Sequence, residues 1–153
     1  MSNEFLKSEL SKIANDKRWA FPLNQAMSAV WMLANFKGDN LKIFDMTKGS
    51  ALCDFHIVAT ASNVTQARAM ADTIAVQFRE QGSELLSYEG YGSADWILLD
   101  TGDMIIHIFQ EDTREIYDLD RVFAANPQVS IPEEFYFSAP VAKTTEETIK
   151  GYF

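Results

Sequence analysis

The sequence predicts an α/β domain in which helices pack on a mixed five-stranded sheet. Three observations carry that expectation. Two segments place apolar residues at the three-four spacing of a helix face, five short runs have strand character, and turn residues separate them in the order helix, strand, strand, helix, strand, strand, strand, helix. At 153 residues the chain matches one ordinary domain and can bury a core without disulfide or metal staples.

Residues 1–21 mix charged and apolar side chains without a strong stop and read as an N-terminal arm or a frayed helix. The main domain is expected over 22–125. Pro22 is tolerated in a first helical turn, Leu23, Ala26, Met27, Val30, Trp31 and Ala34 share one helical face, and Gly38 closes it. Leu41 to Met46 and Asp54 to Ala61 read as strands. Asn63 and Gln66 form a capping pair for a helix with the stripe Val64, Ala67, Ala71, Ile74, Ala75 and Phe78, closed by Gly82. Glu84 to Tyr91 is a third strand, and Trp96 to Thr101 with Met104 to Gln110 form a hairpin turned by Gly102. Because both hairpin strands are apolar at successive positions, both faces are expected to be covered. Asp112 to Phe123 reads as one or two short helices that turn Ile116, Leu119, Val122 and Phe123 inward. Residues 126–153 form a tail whose Phe135, Tyr136 and Phe137 are adjacent, and a strap across the domain is favoured over capture by a partner, since loose aromatics invite association.

Charge narrows the function classes. The chain carries a net −9, and the 33 residues from Glu89 to Arg121 hold nine acids against Arg114 and Arg121, a local −7. Such a surface favours a basic partner and repels phosphate, so sequence-specific nucleic-acid binding is not expected. No apolar run approaches the ~18 residues that cross a bilayer, and the first residues have neither a signal core nor an arginine-rich presequence. No membrane association is expected, and the expected location is the cytoplasm. The single Cys53 has no internal disulfide partner and sits beside apolar Leu52 and Phe55, as a small buried hydrophobe would.

Several residues invite a chemical reading. Asp100 and Asp103 flank a tight turn and could share a cation, although aspartates at a hairpin tip ordinarily supply turn hydrogen bonds. His107 lies on the strand side of Ile105 and Phe109, as a buried hydrogen-bonded histidine or one that recognises a partner, and His56 has the same plain default. Asp118-Leu-Asp120 has the spacing that nucleotidyltransferases use to hold magnesium, but no Gly-Ser phosphate turn lies close upstream and the segment looks helical. A phosphate loop, a dinucleotide glycine pattern and Cys/His zinc spacing are all missing from the sequence. Trp96 opens a strand, as core or, at an exposed strand end between Asp95 and Asp100, as an interface anchor.

An ordered series of segments resembles one family. It runs through Phe44-Asp45-Met46, Cys53-Asp54-Phe55-His56-Ile57-Val58-Ala59-Thr60, Arg68 to Asp72, Tyr88-Glu89-Gly90, Trp96 to Asp103, Ile106 to Phe109, and Arg114 to Asp120. The series resembles the ribosomal silencing factors, also called Iojap-like proteins, over roughly Ala26 to Phe123. The resemblance implies a nucleotidyltransferase-like fold without transferase activity and without a cofactor or metal. It also implies binding to a ribosomal protein on the joining face of the large ribosomal subunit, which blocks the small subunit and represses translation. The chain departs from the family pattern at Ala61-Ser62-Asn63, where Gly-x-Ser is common, and at His56, Asp120 and Phe123, where an apolar or aromatic residue, Glu and Trp are usual. Combined with the acidic segment, the resemblance places the contact on Trp96, Leu98, Asp100, Asp103 and His107, with a homodimer as a further possibility for the free protein. The rival expectation is a magnesium-dependent nucleotidyltransferase using Asp118 and Asp120.

Overall fold

The computed structural model of the chain describes residues 3–49 and 52–137. Strands β1 (Asp39–Asp45), β2 (Phe55–Ala61), β3 (Ser87–Glu89), β4 (Trp96–Asp100) and β5 (Met104–Gln110) form one sheet in the order β1-β2-β5-β4-β3. β2 and β5 are parallel and every other neighbouring pair is antiparallel, so the sheet is mixed as expected. Side chains alternate between its faces. On the first face Ile43, Ile57, Ala59, Ile97, Leu99, Ile106 and Ile108 join the main core, and on the second Phe44, Val58 and Phe109 form a smaller cluster.

The long helices all serve the first face. α2 (Leu23–Asn35) is buried nearly throughout, and α3 (Val64–Glu80) turns Ala67, Met70, Ala71, Ile74 and Phe78 into the same core. Residues 3–14 form α1, whose Leu6, Leu10 and Ile13 also enter it. The start of α3 is the anticipated capping pair: Asn63 Oδ1 accepts the Gln66 N–H at 2.7 Å, and Gln66 Oε1 reaches back to the Ser62 backbone N–H and hydroxyl. α2 closes one residue earlier than expected, because Lys37 rather than Gly38 is left-handed, with φ of 62°. Gly38 N–H instead donates to Leu33 O at 2.9 Å, an approach that leaves no room for a Cβ.

Three expectations change in the structure. β3 is shorter than Glu84 to Tyr91, beginning at Ser87 and ending at Glu89, where Gly90 takes φ of 83° and passes so close to β4 that a Cβ there would lie 1.9 Å from the Trp96 carbonyl oxygen. The segment after β5 splits into α4 (Glu111–Tyr117) and α5 (Leu119–Val122) at Asp118, whose left-handed φ of 47° resets the helical phase. Leu119 and Phe123 therefore reach the second-face cluster, while Ile116 and Val122 are 77% and 64% exposed. β4 is fully covered on one face only: Ile97 and Leu99 are buried, whereas Trp96, Leu98 and Asp100, on the other face, are half-buried. Its apolar run resembles that of a doubly covered strand because large apolar residues occupy the open side as well.

The chain after α5 straps the edge of the sheet. Pro127 O accepts the Asp45 N–H and Val129 N–H donates to Ile43 O, both at 2.8 Å, so the open side of β1 is occupied. Phe135, in the short 3-10 turn Glu133–Phe137, is 5% exposed and meets Trp19 edge-on at 6.0 Å. Tyr136 and Phe137 stay exposed. The rest of the expected tail, 138–153, lies outside the described residues.

Candidate partner-binding site

The second face of the sheet is where the sequence-derived residues meet. α4 and α5 total eleven residues and roof the part over Phe44, Val58 and Phe109, with Tyr117 of α4 reaching Trp96. Trp96, Leu98 and Asp100 lie on this face at alternate positions of β4, in register with Phe109, His107 and Ile105 of β5. Trp96 is wedged between Phe109 and Tyr117, with ring centroids 4.9 and 4.7 Å away. Tyr117 is itself 53% exposed, so Trp96, half-buried, is held between two rings close to the surface. Asp100 Oδ1 accepts the Gly102 N–H at 2.8 Å, the ordinary task of a turn aspartate. Asp103 is half-buried in the turn, and its carbonyl accepts the Asp54 N–H at 2.8 Å.

His107 differs from the other four. It is 4% exposed, beneath the surface rather than on it, and both ring nitrogens are occupied. Trp96 Nε1–H donates to His107 Nδ1 at 3.1 Å, and His107 Nε2 faces His56 Nδ1 at 3.0 Å. His56 Nε2 in turn lies 3.6 Å from Cys53 Sγ, and the thiol points at the Phe55 carbonyl at 3.5 Å. An indole N–H can only donate, which makes His107 Nδ1 the acceptor and places the His107 proton on Nε2. By the same logic His56 accepts at Nδ1 and carries its proton on Nε2. The row therefore runs in one direction from Trp96 to Cys53.

Burial keeps this row uncharged. Desolvation, with a smaller contribution from His56, pushes the His107 imidazole down to about 3. Burial lowers His56 too, partly opposed by the Asp100 carboxylate. The Cys53 thiol is raised by burial and by Asp100, which suits the small buried hydrophobe expected from sequence. Reasoning from sequence did not join His56 and Cys53 to the site. Strand parity puts His56 on the same face as Val58, but only the parallel β2–β5 register, with Val58 opposite His107, brings the two imidazoles together.

Residues 22–151 match the family described as "Ribosomal silencing factor during starvation". The chain belongs to this family. It is 37% identical to the ribosomal silencing factor of Haemophilus influenzae over 92 residues, which is 60% of this chain and 90% of that one. It is also 26% identical to a mitochondrial Iojap-related protein of Arabidopsis thaliana, covering 61% of this chain and 53% of that one. Among solved structures, a Chromobacterium violaceum protein superposes with a TM-score of 0.62 at 29% identity, covering 70% of this chain and 90% of the other. The family is named for a regulatory role.

In this silencing factor the Asp-x-Asp pair is part of a structural clamp. Asp118 is the left-handed joint between α4 and α5, and Asp120 receives the Arg114 guanidinium through two bonds, of 3.1 and 3.0 Å. Lys42 Nζ adds a third contact to Asp120 at 2.9 Å. Arg114, itself buried, also donates to Asn40 O at 2.7 Å and Thr60 Oγ1 at 2.8 Å, tying α4 to the loop end of β1 and to β2. The Arg114 hydrogen bonds, then those of Lys42, hold the Asp120 carboxyl down at about 2. Its oxygens are thus engaged by cations the protein itself supplies. A cleft of about 470 Å³ beside this clamp is lined by both acids and bases, among them Glu111, Arg114 and Asp118. Among the described residues, no three His, Cys, Asp or Glu side chains are grouped to hold a metal ion.

Proposed function

We propose that this silencing factor binds a basic ribosomal protein on the joining face of the large ribosomal subunit and thereby blocks the small subunit. Trp96 and Leu98 form the apolar centre of the contact, Asp100 and Asp103 its acidic rim, and His107 supports Trp96 from below. The observation that carries this reading is a half-buried Trp-Leu strip on the incompletely covered face of β4, inside a segment of net −7. A ribosomal protein is a positive island among rRNA phosphates, so the acidic rim is drawn to it and repelled around it. A docked body of 17.3 kDa obstructs a second subunit without making or breaking a bond. The factor acts in the cytoplasm, through the 22–125 domain, with 1–21 and 126–153 as flanking segments.

Purified subunits test the proposal. Preincubation with the factor is expected to slow subunit joining, read by light scattering, and to leave the factor on the large subunit in sucrose gradients. Trp96→Ala is expected to weaken that binding roughly 30-fold, as loss of a hot-spot aromatic of about 2 kcal/mol does. Joining at full speed in saturating factor would overturn the proposal.

A further inference from the structure

We propose that His56 is a positioning residue for the Trp96 indole, acting through His107, and that a proton taken up at His56 releases the indole from its fixed orientation. The inference rests on the reading above for its biological meaning, but its geometry stands apart from any ribosome. Three hydrogen-bonding groups from three strands form a single row on the second face: Trp96 of β4, His107 of β5 and His56 of β2. The row has polarity because its first member only donates. His107 meets the indole with a bare nitrogen only if its proton lies on the other side, and His56 Nδ1 is the acceptor that holds it there.

The proton count makes the row sensitive to charge. A proton from solvent added to His56 occupies Nδ1, so the His56 imidazolium now donates toward His107. To accept that bond His107 must bare Nε2 and carry its own proton on Nδ1, where the Trp96 N–H already points. One of the two contacts becomes donor against donor, and because the imidazolium is the stronger, charge-assisted donor, His107 turns a bare Nε2 to His56 and the Trp96 contact is the one lost. His56 is the entry point because it is half-buried, whereas His107 is enclosed. Burial keeps His56 neutral at neutral pH, so the oriented state is the resting one.

The groups facing the pair do not supply another route. From β4 comes Asp100, which favours the charged His56, and just before β2 come Cys53 and Asp54. From β1 and α5 come Lys42 and Asp120, engaged with each other at 2.9 Å. From α4 comes Tyr117, against the Trp96 ring. The remaining neighbours are apolar: Phe123 stacks on His56 at 4.3 Å and Phe109 stacks beside His107 at 6.1 Å.

The test uses the full chain labelled with nitrogen-15, in which the indole N–H signals of Trp19, Trp31 and Trp96 are followed from pH 8 to 4.5. The Trp96 signal is expected to shift with a midpoint below 6.5 while Trp19 and Trp31 stay still. His56→Phe keeps the stack on Phe123 but removes the acceptor, and is expected to abolish the titration and displace the Trp96 signal already at pH 8. His56→Asn, whose side-chain oxygen can stand where Nδ1 stood, is expected to restore the wild-type position without the titration. A Trp96 signal indifferent to pH, unchanged by His56→Phe, or lost only when all three indoles collapse together would overturn the inference. In gradients with large subunits, His56→Phe is expected to bind roughly tenfold more weakly at pH 7.5, as one compromised buried hydrogen bond would cause, and His56→Asn like wild type. Equal binding by both variants would remove the functional part of the inference. A wild-type protein that never binds the subunit, with the selective indole titration intact, would instead refute the ribosomal proposal and leave the positioning role of His56 standing.

Discussion

Replacing Asp120 by Asn separates a structural acid from a metal-binding one. In the folded protein its carboxyl titrates at about 2 against an ordinary 3.8, chiefly because of its two bonds from Arg114. At about 1.4 kcal/mol per pH unit, that depression corresponds to about 2 kcal/mol favouring the ionised carboxylate in the fold. Asp120→Asn is therefore expected to lower stability at pH 7 by about 2 kcal/mol, or about 4–8 °C in melting temperature for a chain of this size. The sign with pH follows from the direction of the shift. A depressed acid contributes fully above its unfolded value of 3.8 and loses that contribution as pH falls through about 2, so the gap between wild type and variant should close over that interval. The histidine pair, present in both proteins, cancels in the difference. Urea unfolding at pH 7, 5, 4 and 3 measures the gap. Equal stability at pH 7, or a gap that persists undiminished toward pH 2, would refute the clamp and return Asp120 to the pool of candidate metal ligands.

Two further substitutions test how the site is carried. Leu10, on α1, is 1% exposed, so Leu10→Ala should cost ~2–5 kcal/mol in urea unfolding; a loss under ~0.5 kcal/mol would mean that α1 is not anchored in the core. Gly90→Ala puts a methyl where only 1.9 Å separates it from the Trp96 carbonyl, at φ of 83°. It should cost at least about 2 kcal/mol and alter the near-ultraviolet circular dichroism of the tryptophans, and a variant of wild-type stability and spectrum would contradict the close approach of β3 to β4.

What was legible in the sequence is what local rules decide. The α3 stripe, its Asn63–Gln66 cap and the Gly102 hairpin each lie within one short continuous stretch of chain, and the structure contains all three. Beyond such stretches the reading failed in identifiable ways. The segment Asp112 to Phe123 forms two short helices, one of the forms expected, but Ile116 and Val122 do not turn inward with Leu119 and Phe123, because the left-handed residue at Asp118 breaks the phase of the apolar stripe. The apolar β4 run implied two covered faces, since periodicity records which side chains are apolar and is silent on whether helix or partner covers them. His56 and His107 are 51 residues apart, and their pairing depends on a parallel register between β2 and β5 that no local signal encodes. The candidate residues on β4 were nonetheless found together, because an alternating strand places Trp96, Leu98 and Asp100 on one face by its geometry alone.

The acidic rim and the tryptophan should act at different stages of binding, and kinetics can tell them apart. Charges on a rim act over about a Debye length, roughly 8–10 Å at ordinary ionic strength, and so mainly set the rate of encounter and its salt dependence. An aromatic wedged between Phe109 and Tyr117 acts only after contact, and so mainly sets the rate of departure. Asp100→Lys with Asp103→Lys is thus expected to slow association with large subunits about tenfold at low salt and to flatten its salt dependence. Because Asp100 also holds the Gly102 N–H at 2.8 Å, the same pair of changes carries a stability cost of about 1 kcal/mol, which unfolding experiments would separate from binding. Trp96→Ala should leave the association rate and salt slope nearly unchanged and accelerate dissociation. If instead the charge reversal changed only dissociation, or Trp96→Ala changed only association, the division of labour on this face would be wrong, and the −7 segment would have to be touching its partner directly rather than guiding it in.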